Sequence, residues 1–514
     1  MSAVPPSWLT RPWHVVLAPA VPVLALLSNS VDTMPPRVLV NPLLLGLAAA
    51  LLFWLLLGLA VRNRRTSAIV TTIIILAVFS HSTVERLASI LHLPATVPVG
   101  YGLMLVVCVR ILWLGGLATE MTTFANFLVV ALTLCFTSVI GWYEVSRPLP
   151  RNHPTVVTGS ADAAAERPDI YVLILDGYGR ADVLKDLYGF DNTLVPALES
   201  RGFYVSPRAT SNYGRTALSI SSALNGEYVQ TLVDGIESKR LDRRLLGDLI
   251  DHNRLFGSLR AAGYRIRSYT SEYPLIWSQE ADEQPGPPIP VDEFDLALYE
   301  ASAARLAIRW FGNERWLPTQ LHRRHVLWTL DQLAKEPLAD DDQPRLVFAH
   351  LLLPHPPFVF NMDGGVRPTH LPVALYDGPQ WRLAADGTDE SYEQGYTDAV
   401  RFLNGRVVEI VEGILRHSRR PPLIYIQGDH GPGARLTNEY SAETEVRERF
   451  GILLAVHLPE GGEGAFAPDI TPVNAFRALL NRAIGTALPI LSNRSYSSPW
   501  DRPFDFVEVT EQLH

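Results

Sequence analysis

Apolar residues dominate several long segments within the first 142 residues of this chain. Residues 38–61 and 121–142 contain no charged side chain, and each is long enough to cross a bilayer as a helix. Three weaker apolar segments, at about residues 14–30, 66–82 and 97–118, have the length of further spans. The pattern predicts a bundle of about five transmembrane helices over residues 1–142.

Positive charges beside these segments predict their orientation. Arg62, Arg64 and Arg65 lie between the second and third spans and are expected in the cytoplasm, because positively charged loops stay inside. Counting from there places the N-terminus inside and everything after Trp142 outside. A cleavable signal peptide is the competing interpretation of the first span. Ser28, Asn29 and Ser30 make a poor cleavage site, however, and further spans follow.

The pattern changes after the last span. Residues 143–168 are predicted to form a linker, because most of this stretch is rich in Pro, Ser, Thr and Ala and has no sustained period. From 169 to 514, apolar strand runs alternate with helical segments, which predicts an α/β domain with a mainly parallel sheet and helices on both faces. The strands are expected at 170–175, 264–270, 345–351, 422–428 and 451–457, and the main helices at about 192–201, from about 216, 252–262, 392–417 and 471–482.

Charge argues against a nucleic-acid-binding protein, and cysteine content against an exported domain stabilised by disulfides. The net charge of −9 argues against nucleic acid as a partner. The two cysteines, Cys108 and Cys135, both fall in predicted spans. Disulfides therefore do not hold the exported domain together, although export would permit them.

Metal-type ligands follow two of the predicted strands. Asp176 comes directly after the run 170–175, and Asp429 and His430 come after the run 422–428. Because the carboxyl ends of parallel strands meet at one edge of a sheet, these side chains are expected to gather there as ligands of a metal ion.

Hydroxyl side chains are concentrated between residues 211 and 226, around a predicted helix start with Asn225 and Gly226 as its stop. A threonine in the first turn, Thr216, could ligate a metal and attack a phosphorus or sulfur centre as an alkoxide. The alternative is an ordinary capping residue, since Ser and Thr are common at helix starts.

Two histidines lie where the strand 345–351 enters a proline-rich loop. His355, between prolines, could donate a proton or a hydrogen bond to a bound oxyanion. His350 is open to two interpretations, a substrate-side residue or a histidine of the core.

In combination these residues resemble the alkaline phosphatase/sulfatase superfamily, in its membrane-anchored branch. Thr216 to Ser219 resembles the T-x-x-S nucleophile motif of phosphoethanolamine transferases and, more loosely, of lipoteichoic acid synthases. Gly428 to Gly431 resembles their paired metal ligands, and the spacing of His350 and His355 resembles that of their substrate-side histidines. Five spans before an exported domain are also similar to those transferases.

The chain departs from these families at three points. Those transferases have a glutamate on the first strand, where this chain has Asp176. Sulfatases need a modified cysteine or serine within C/S-x-P-x-R, and the stretch from Ser211 to Arg215 lacks the proline, so Thr216 is the preferred nucleophile and Ser211 the reserve. After His430 the next histidine is His457, in a predicted strand, so one metal ion is expected rather than two.

The resemblance thus implies a metal-dependent hydrolase or transferase of phosphate esters in a bacterial inner membrane, multi-pass, with its catalytic domain outside the cytoplasm. One divalent cation is expected, zinc by resemblance, with manganese and calcium also compatible. The substrate would be a membrane lipid or a cell-envelope glycan. The expected ligands are Asp176, Thr216, Asp429 and His430, and the expected substrate-side residues are Arg215, His350 and His355.

Two alternatives stay open at this point. One is a sulfatase that uses a modified Ser211, and the other is a non-catalytic scaffold for envelope polymers. The sequence leaves the donor, the acceptor, the choice between hydrolysis and transfer, and the oligomeric state undetermined.

Overall fold

The computed structural model describes residues 10–92, 96–114, 118–150, 155–159, 167–234, 242–310, 316–336, 343–367, 377–378, 380–381, 387–437, 443–459, 464 and 466–513. The chain forms two compact units. The first comprises Met1–Arg147 and Phe294–Trp316, and the second comprises Pro148–Glu293 and Leu317–His514.

The first unit is helical. Two of its helical segments, Pro36–Val61 and Thr119–Ser146, are long and apolar enough to cross a membrane. The pair Arg64–Phe79 and His81–Ile90, bent by 55°, would be a third span among the described residues. The described part of this region therefore has two to three candidate spans, where the sequence predicts about five. The helices are His14–Leu17, Ala20–Ser28, Val40–Val61, Arg64–Phe79, His81–Ile90, Thr96–Leu114 and Ala118–Ser146.

A segment from the later part of the chain belongs to this first unit. The helices Glu293–Ala301 and Ala304–Trp310 form most of it. Phe294 is buried in an apolar cluster with Val23 and Leu27, and Arg305 pairs with Glu85. The sequence predicts one domain from 169 to 514. The structure groups Phe294–Trp316 with the helical unit because its apolar and charged side chains find their partners there.

The second unit is built on a six-stranded sheet. Its strands are β1 (Ile170–Leu175), β2 (Tyr204–Val205), β3 (Arg265–Ser268), β4 (Arg345–Leu351), β5 (Leu423–Gly428) and β6 (Leu454–His457), in the spatial order β2-β6-β5-β1-β4-β3. The four strands β3, β4, β1 and β5 are parallel, whereas β6 pairs antiparallel with β5 and β2 antiparallel with β6. The α/β class is confirmed, and the sheet, predicted to be mainly parallel, is mixed, with four of its six strands parallel.

Helices cover both faces of this sheet, which explains why β1 is apolar at every position. Tyr171, Leu173 and Leu175 pack in one cluster with the helix Asp389–His417. The alternate residues Ile170, Val172 and Ile174 pack in a second cluster with helices on the other face.

The remaining helices of this unit are Ala181–Tyr188, Leu194–Glu199, Thr216–Asn225, Val229–Leu232, Arg244–Asp251, Arg254–Ala261, Trp316–Leu333, Glu443–Phe450 and Pro472–Ile484. A two-stranded antiparallel sheet, β7 (Tyr496–Ser497) and β8 (Val507–Glu508), lies near the end of the chain.

Strand register brings the predicted ligands to one edge. Leu175, the last residue of β1, is level with Leu351 of β4 and with Gly428 of β5. Asp176 and Asp429, each the next residue along its strand, therefore leave the sheet side by side.

Candidate functional site

The turn after β1 holds Asp176 against the loop after β5. Gly177 has a φ of 78°, a conformation that favours glycine. Its N–H donates to Oδ1 of Asp429 at 3.0 Å. The carbonyl of Asp176 accepts from the N–H of His355 at 3.0 Å. One turn thus connects the loops that follow β1, β4 and β5.

His430 faces both carboxylates. Its Nε2 lies 3.5 Å from Oδ1 of Asp176 and 3.4 Å from Oδ2 of Asp429. Its Nδ1 lies 2.9 Å from the carbonyl of Gly431, and because a carbonyl only accepts, Nδ1 carries the proton and Nε2 keeps its lone pair. Burial lowers the pKa of His430, and the nearby Arg449 lowers it further, against the opposing charges of Asp429, Asp176 and Asp377. The net lowering favours the neutral ring. This is the form of histidine that binds metals.

Thr216 is the first residue of its helix, as predicted. Arg215 occupies the capping position and makes no side-chain cap, and the Thr216 hydroxyl lies 3.1 Å from Nε2 of His430. One turn later, the Ser219 hydroxyl donates to the carbonyl of Asp429 at 2.7 Å. Residues three apart share a helix face, so the T-x-x-S pattern holds the Asp429–His430 pair from one side.

His350 lies among the same groups. Its Nε2 is 3.3 Å from Oδ2 of Asp176, and its Nδ1 is 3.2 Å from the hydroxyl of Ser271. Asp176, His350 and Asp429 each place one ligand atom within 4.8 Å of the others. The structure therefore brings His350, expected on the substrate side, into the group of metal-type ligands.

The residues present fit a divalent cation. Oδ1 of Asp176, Oδ2 of Asp429 and Nε2 of His350 are all buried and have no hydrogen-bond partner among the described residues. Buried polar atoms normally have a hydrogen-bond partner. Three such atoms without one in a single group indicate that a cation would complete the group. Burial would raise the pKa of Asp176, but His355, His350 and His430 together hold it well below its usual range, so the carboxylate is ionised.

The other predicted residues lie around this group. His355 is buried, its ring centre 6.2 Å from that of His430, and its Nδ1 is 2.6 Å from the carbonyl of Pro356. The Arg215 guanidinium lies over the ring of Trp500 at 5.0 Å. Trp500 is 44% exposed, so Arg215 contributes to a surface beside Thr216 that solvent reaches.

Ser211, the reserve nucleophile, and His457, the next histidine along the chain, lie outside the group of metal-type ligands. Ser211 is fully buried, and its hydroxyl lies 2.5 Å from the carbonyl oxygen of Asp429 and 2.8 Å from that of Tyr213, so its one proton is shared between these two acceptors. His457 ends β6, level with Ile424 near the start of β5, so it lies at the opposite end of β5 from Asp429.

Sequence reasoning missed Asp377, Ser271 and Arg449. Asp377 pairs with Arg449, and its Oδ2 lies 3.9 Å from Nε2 of His355. Burial would raise the pKa of Asp377, but Arg449, His355 and His430 hold it well below its usual range. Ser271 follows the predicted strand 264–270, but a single serine does not indicate a site. No strand end or motif marks Asp377 or Arg449, which only tertiary packing brings to the site.

No protein-family model matches the chain, and no curated protein sequence matches it. Solved structures with a similar fold include the C-terminal periplasmic domain of EcEptC from Escherichia coli, at 13% identity and a TM-score of 0.43 over 70% of this chain and 97% of that one. Another is the integral membrane lipooligosaccharide phosphoethanolamine transferase A from Neisseria meningitidis, at 13% identity and a TM-score of 0.42 over 94% and 85%. A third is the phosphonate monoester hydrolase of Agrobacterium radiobacter, at 13% identity and a TM-score of 0.41 over 64% and 80%.

Proposed function

We propose that this chain is a five-span bacterial membrane enzyme whose exported domain hydrolyses or transfers phosphate esters of an envelope lipid or glycan. The observation that carries the proposal is the Thr216 hydroxyl, held at a helix start 3.1 Å from Nε2 of His430. That nitrogen also faces the buried carboxylates of Asp176 and Asp429. A hydroxyl in such a place is suited to nucleophilic attack.

Asp176, Thr216, Asp429 and His430 would hold one divalent cation, with His350 beside Asp176. When bound, the cation would supply the positive charge that favours the alkoxide form of the threonine. Zinc is the ion expected from the motif resemblance, and three oxygen donors with one imidazole also suit manganese or calcium.

Thr216, His355 and Arg215 each have a separate role in the proposed reaction. The Thr216 hydroxyl loses its proton to solvent, and Oγ1 forms a bond to phosphorus while the bond from phosphorus to the leaving oxygen breaks and protonated His355 donates its proton to that oxygen. Water or a substrate hydroxyl next attacks the phosphothreonine and gives its proton to His355 while the bond from Oγ1 to phosphorus breaks, and the threonine oxygen regains a proton from solvent. Arg215, beside Thr216 and against the exposed Trp500, binds the part of the substrate that remains outside the centre.

A sulfatase that uses a modified Ser211 is the second candidate. The buried Ser211 hydroxyl bonded to the carbonyl of Asp429 favours a supporting role instead, and intact-protein mass spectrometry should show an unmodified serine. A non-catalytic scaffold would be expected to have lost ligands, whereas the contacts among Asp176, Thr216, Asp429 and His430 support a catalytic centre.

Metal analysis of two variants tests the centre. Asp429→Asn and His430→Ala should each lose bound metal and turnover of a generic phosphodiester while the exported domain stays folded. Asp331→Asn and His417→Ala are matched controls on exposed residues and should keep both. Stoichiometric metal and full activity in the site variants would overturn the proposal.

A further inference from the structure

Two arginines share one exposed indole ring beside Thr216. The guanidinium of Arg243 lies 3.9 Å from the centre of the Trp500 ring, and that of Arg215 lies 5.0 Å from it. Nη2 of Arg243 also donates to the carbonyl of Trp500. Contacts with a ring and a carbonyl hold a guanidinium in place, but they leave its positive charge unneutralised.

The two arginines come from separate parts of the chain. Arg215 directly precedes the helix Thr216–Asn225, and Arg243 directly precedes the helix Arg244–Asp251. In the part of the chain that the structure describes, Arg243 is half-buried and forms no ion pair with a carboxylate. Because like charges repel, an anion bound beside both guanidiniums would lower the free energy of this arrangement.

The charge of Arg243 also acts on groups beside the reaction centre. Burial raises the pKa of Glu293 to about 7, and the charges of Arg243 and His355 both oppose this rise. Burial raises the pKa of Tyr273 as well; Glu293 adds to this rise, Arg243 opposes it and Asp176 adds to it. Arg243 is therefore within electrostatic reach of the same groups as His355 and Asp176. Glu293 is only partly ionised at neutral pH, so it does not cancel the charge of Arg243.

We propose that Arg243, with Arg215 and Trp500, forms a subsite for a second oxyanion of the substrate, separate from the phosphate attacked by Thr216. The inference rests on the proposed function and deepens it, because it makes the substrate an envelope lipid or glycan that carries a further negative group. A guanidinium suits this task because its planar donors match oxyanions and its charge is permanent. Arg215 directly precedes Thr216, so the two oxyanions would lie on neighbouring parts of one molecule.

Binding of bisphosphates to the full-length, metal-loaded protein tests the subsite by calorimetry. Glycerol bisphosphate is compared with glycerol phosphate to represent a lipid head group, and glucose bisphosphate with glucose phosphate to represent a glycan. In at least one pair, the wild type should bind the bisphosphate about 10- to 100-fold more tightly, the gain expected from a charge-assisted contact. The pair that shows the larger gain identifies the source of the second oxyanion.

Arg243→Met should remove most of this gain, while bound metal stays at the wild-type amount. Arg243→Lys should keep part of the gain, because it retains the charge and loses the planar donors. Arg502→Met is the matched control. Arg502 lies two residues from Trp500 but pairs with Asp505 at 2.6 Å, so the gain should not change.

Trp500→Leu serves as the second variant if Arg243→Met does not fold. It replaces an exposed side chain, releases both guanidiniums from the ring and should also reduce the gain. A wild type that binds the monophosphates but gains nothing from a second phosphate in either pair would overturn the inference. A folded Arg243→Met variant that keeps the whole gain would do the same. Failure of the wild type to bind metal or either monophosphate would instead overturn the proposed function.

Discussion

Thr216 differs from an ordinary threonine at a helix start in the group that its hydroxyl contacts. A capping hydroxyl bonds backbone N–H groups of the first turn, whereas this one meets the imidazole of His430. The distinction can be measured, because a cap contributes to stability and a nucleophile contributes to turnover.

Thr216→Ala should therefore reduce turnover by orders of magnitude while costing no more than about 1 kcal/mol of stability. Thr216→Ser should retain part of the activity because it keeps a hydroxyl. Ser211→Ala should be milder in turnover, since its hydroxyl only supports the backbone of Asp429. Kinetics on a generic phosphodiester, together with thermal unfolding, would measure both effects. A dead Ser211→Ala beside a normal Thr216→Ala would reverse the assignment.

Glu293 predicts a pH dependence of stability. Its Oε2 is buried and has no hydrogen-bond partner among the described residues. Burial raises the pKa of this carboxyl to about 7, against the opposing charges of Arg243 and His355. Because the folded-state pKa is above the unfolded one, this group's contribution to stability is complete below about pH 4.5 and is lost as pH rises through about 7.

Glu293→Gln should consequently unfold at a higher temperature than the wild type at pH 8. The difference should shrink toward pH 5, where the wild-type carboxyl is also neutral. Thermal unfolding of both proteins across this range measures the effect. A constant difference at all pH values would mean that the carboxyl titrates alike in the folded and unfolded chain.

At the scale of elements, the glycines of the Gly428–Gly431 loop are explained by close packing. A Cβ on Gly428 would lie 2.2 Å from the carbonyl oxygen of Tyr178, and one on Gly431 would lie 2.0 Å from that of Glu448. Neither distance is compatible with a side chain. The loop can hold Asp429 and His430 in place only because its neighbours approach the bare backbone.

Gly431→Ala should displace His430 and so lose metal affinity as well as stability. Gly405→Ala is the matched control, because a Cβ there meets no atom within 4 Å. It lies within the helix Asp389–His417, where alanine is favoured over glycine by about 0.5–1 kcal/mol. Metal titration and thermal unfolding of both variants would separate the two effects. Unchanged metal binding in Gly431→Ala would show that the loop can move without loss.

Local patterns predicted the central elements closely. The strand predicted at 345–351 has those bounds as β4, and the helix predicted from about 216 starts at Thr216. The antiparallel direction of β6 could not be predicted, because a short buried strand is apolar whichever way it runs. Arg449 was missed because the helix Glu443–Phe450 is rich in charge, a pattern typical of a solvent-exposed surface. The Asp429–His430 pair was found because it directly follows a strand.

At the scale of the whole molecule, membrane orientation is the most direct test of the five-span proposal. A reporter that is active only outside the cytoplasm should give signal when fused after residue 150 and none when fused after residue 65. The physical reason is the cluster Arg62–Arg65, which should stay in the cytoplasm, followed by three further spans. The reverse pattern would contradict the proposed count.

The order of strands in the sheet also determines how much of the chain must be synthesised before the groups around Thr216 can come together. β1 lies between β4 and β5, so one of its edges stays unpaired until residue 428 has been made. Thr216 is made 214 residues before His430. If Thr216 is the proposed nucleophile, its hydroxyl would be no more nucleophilic than any other alcohol until β5 and the residues after it have been made, and a chain truncated before them would be inactive.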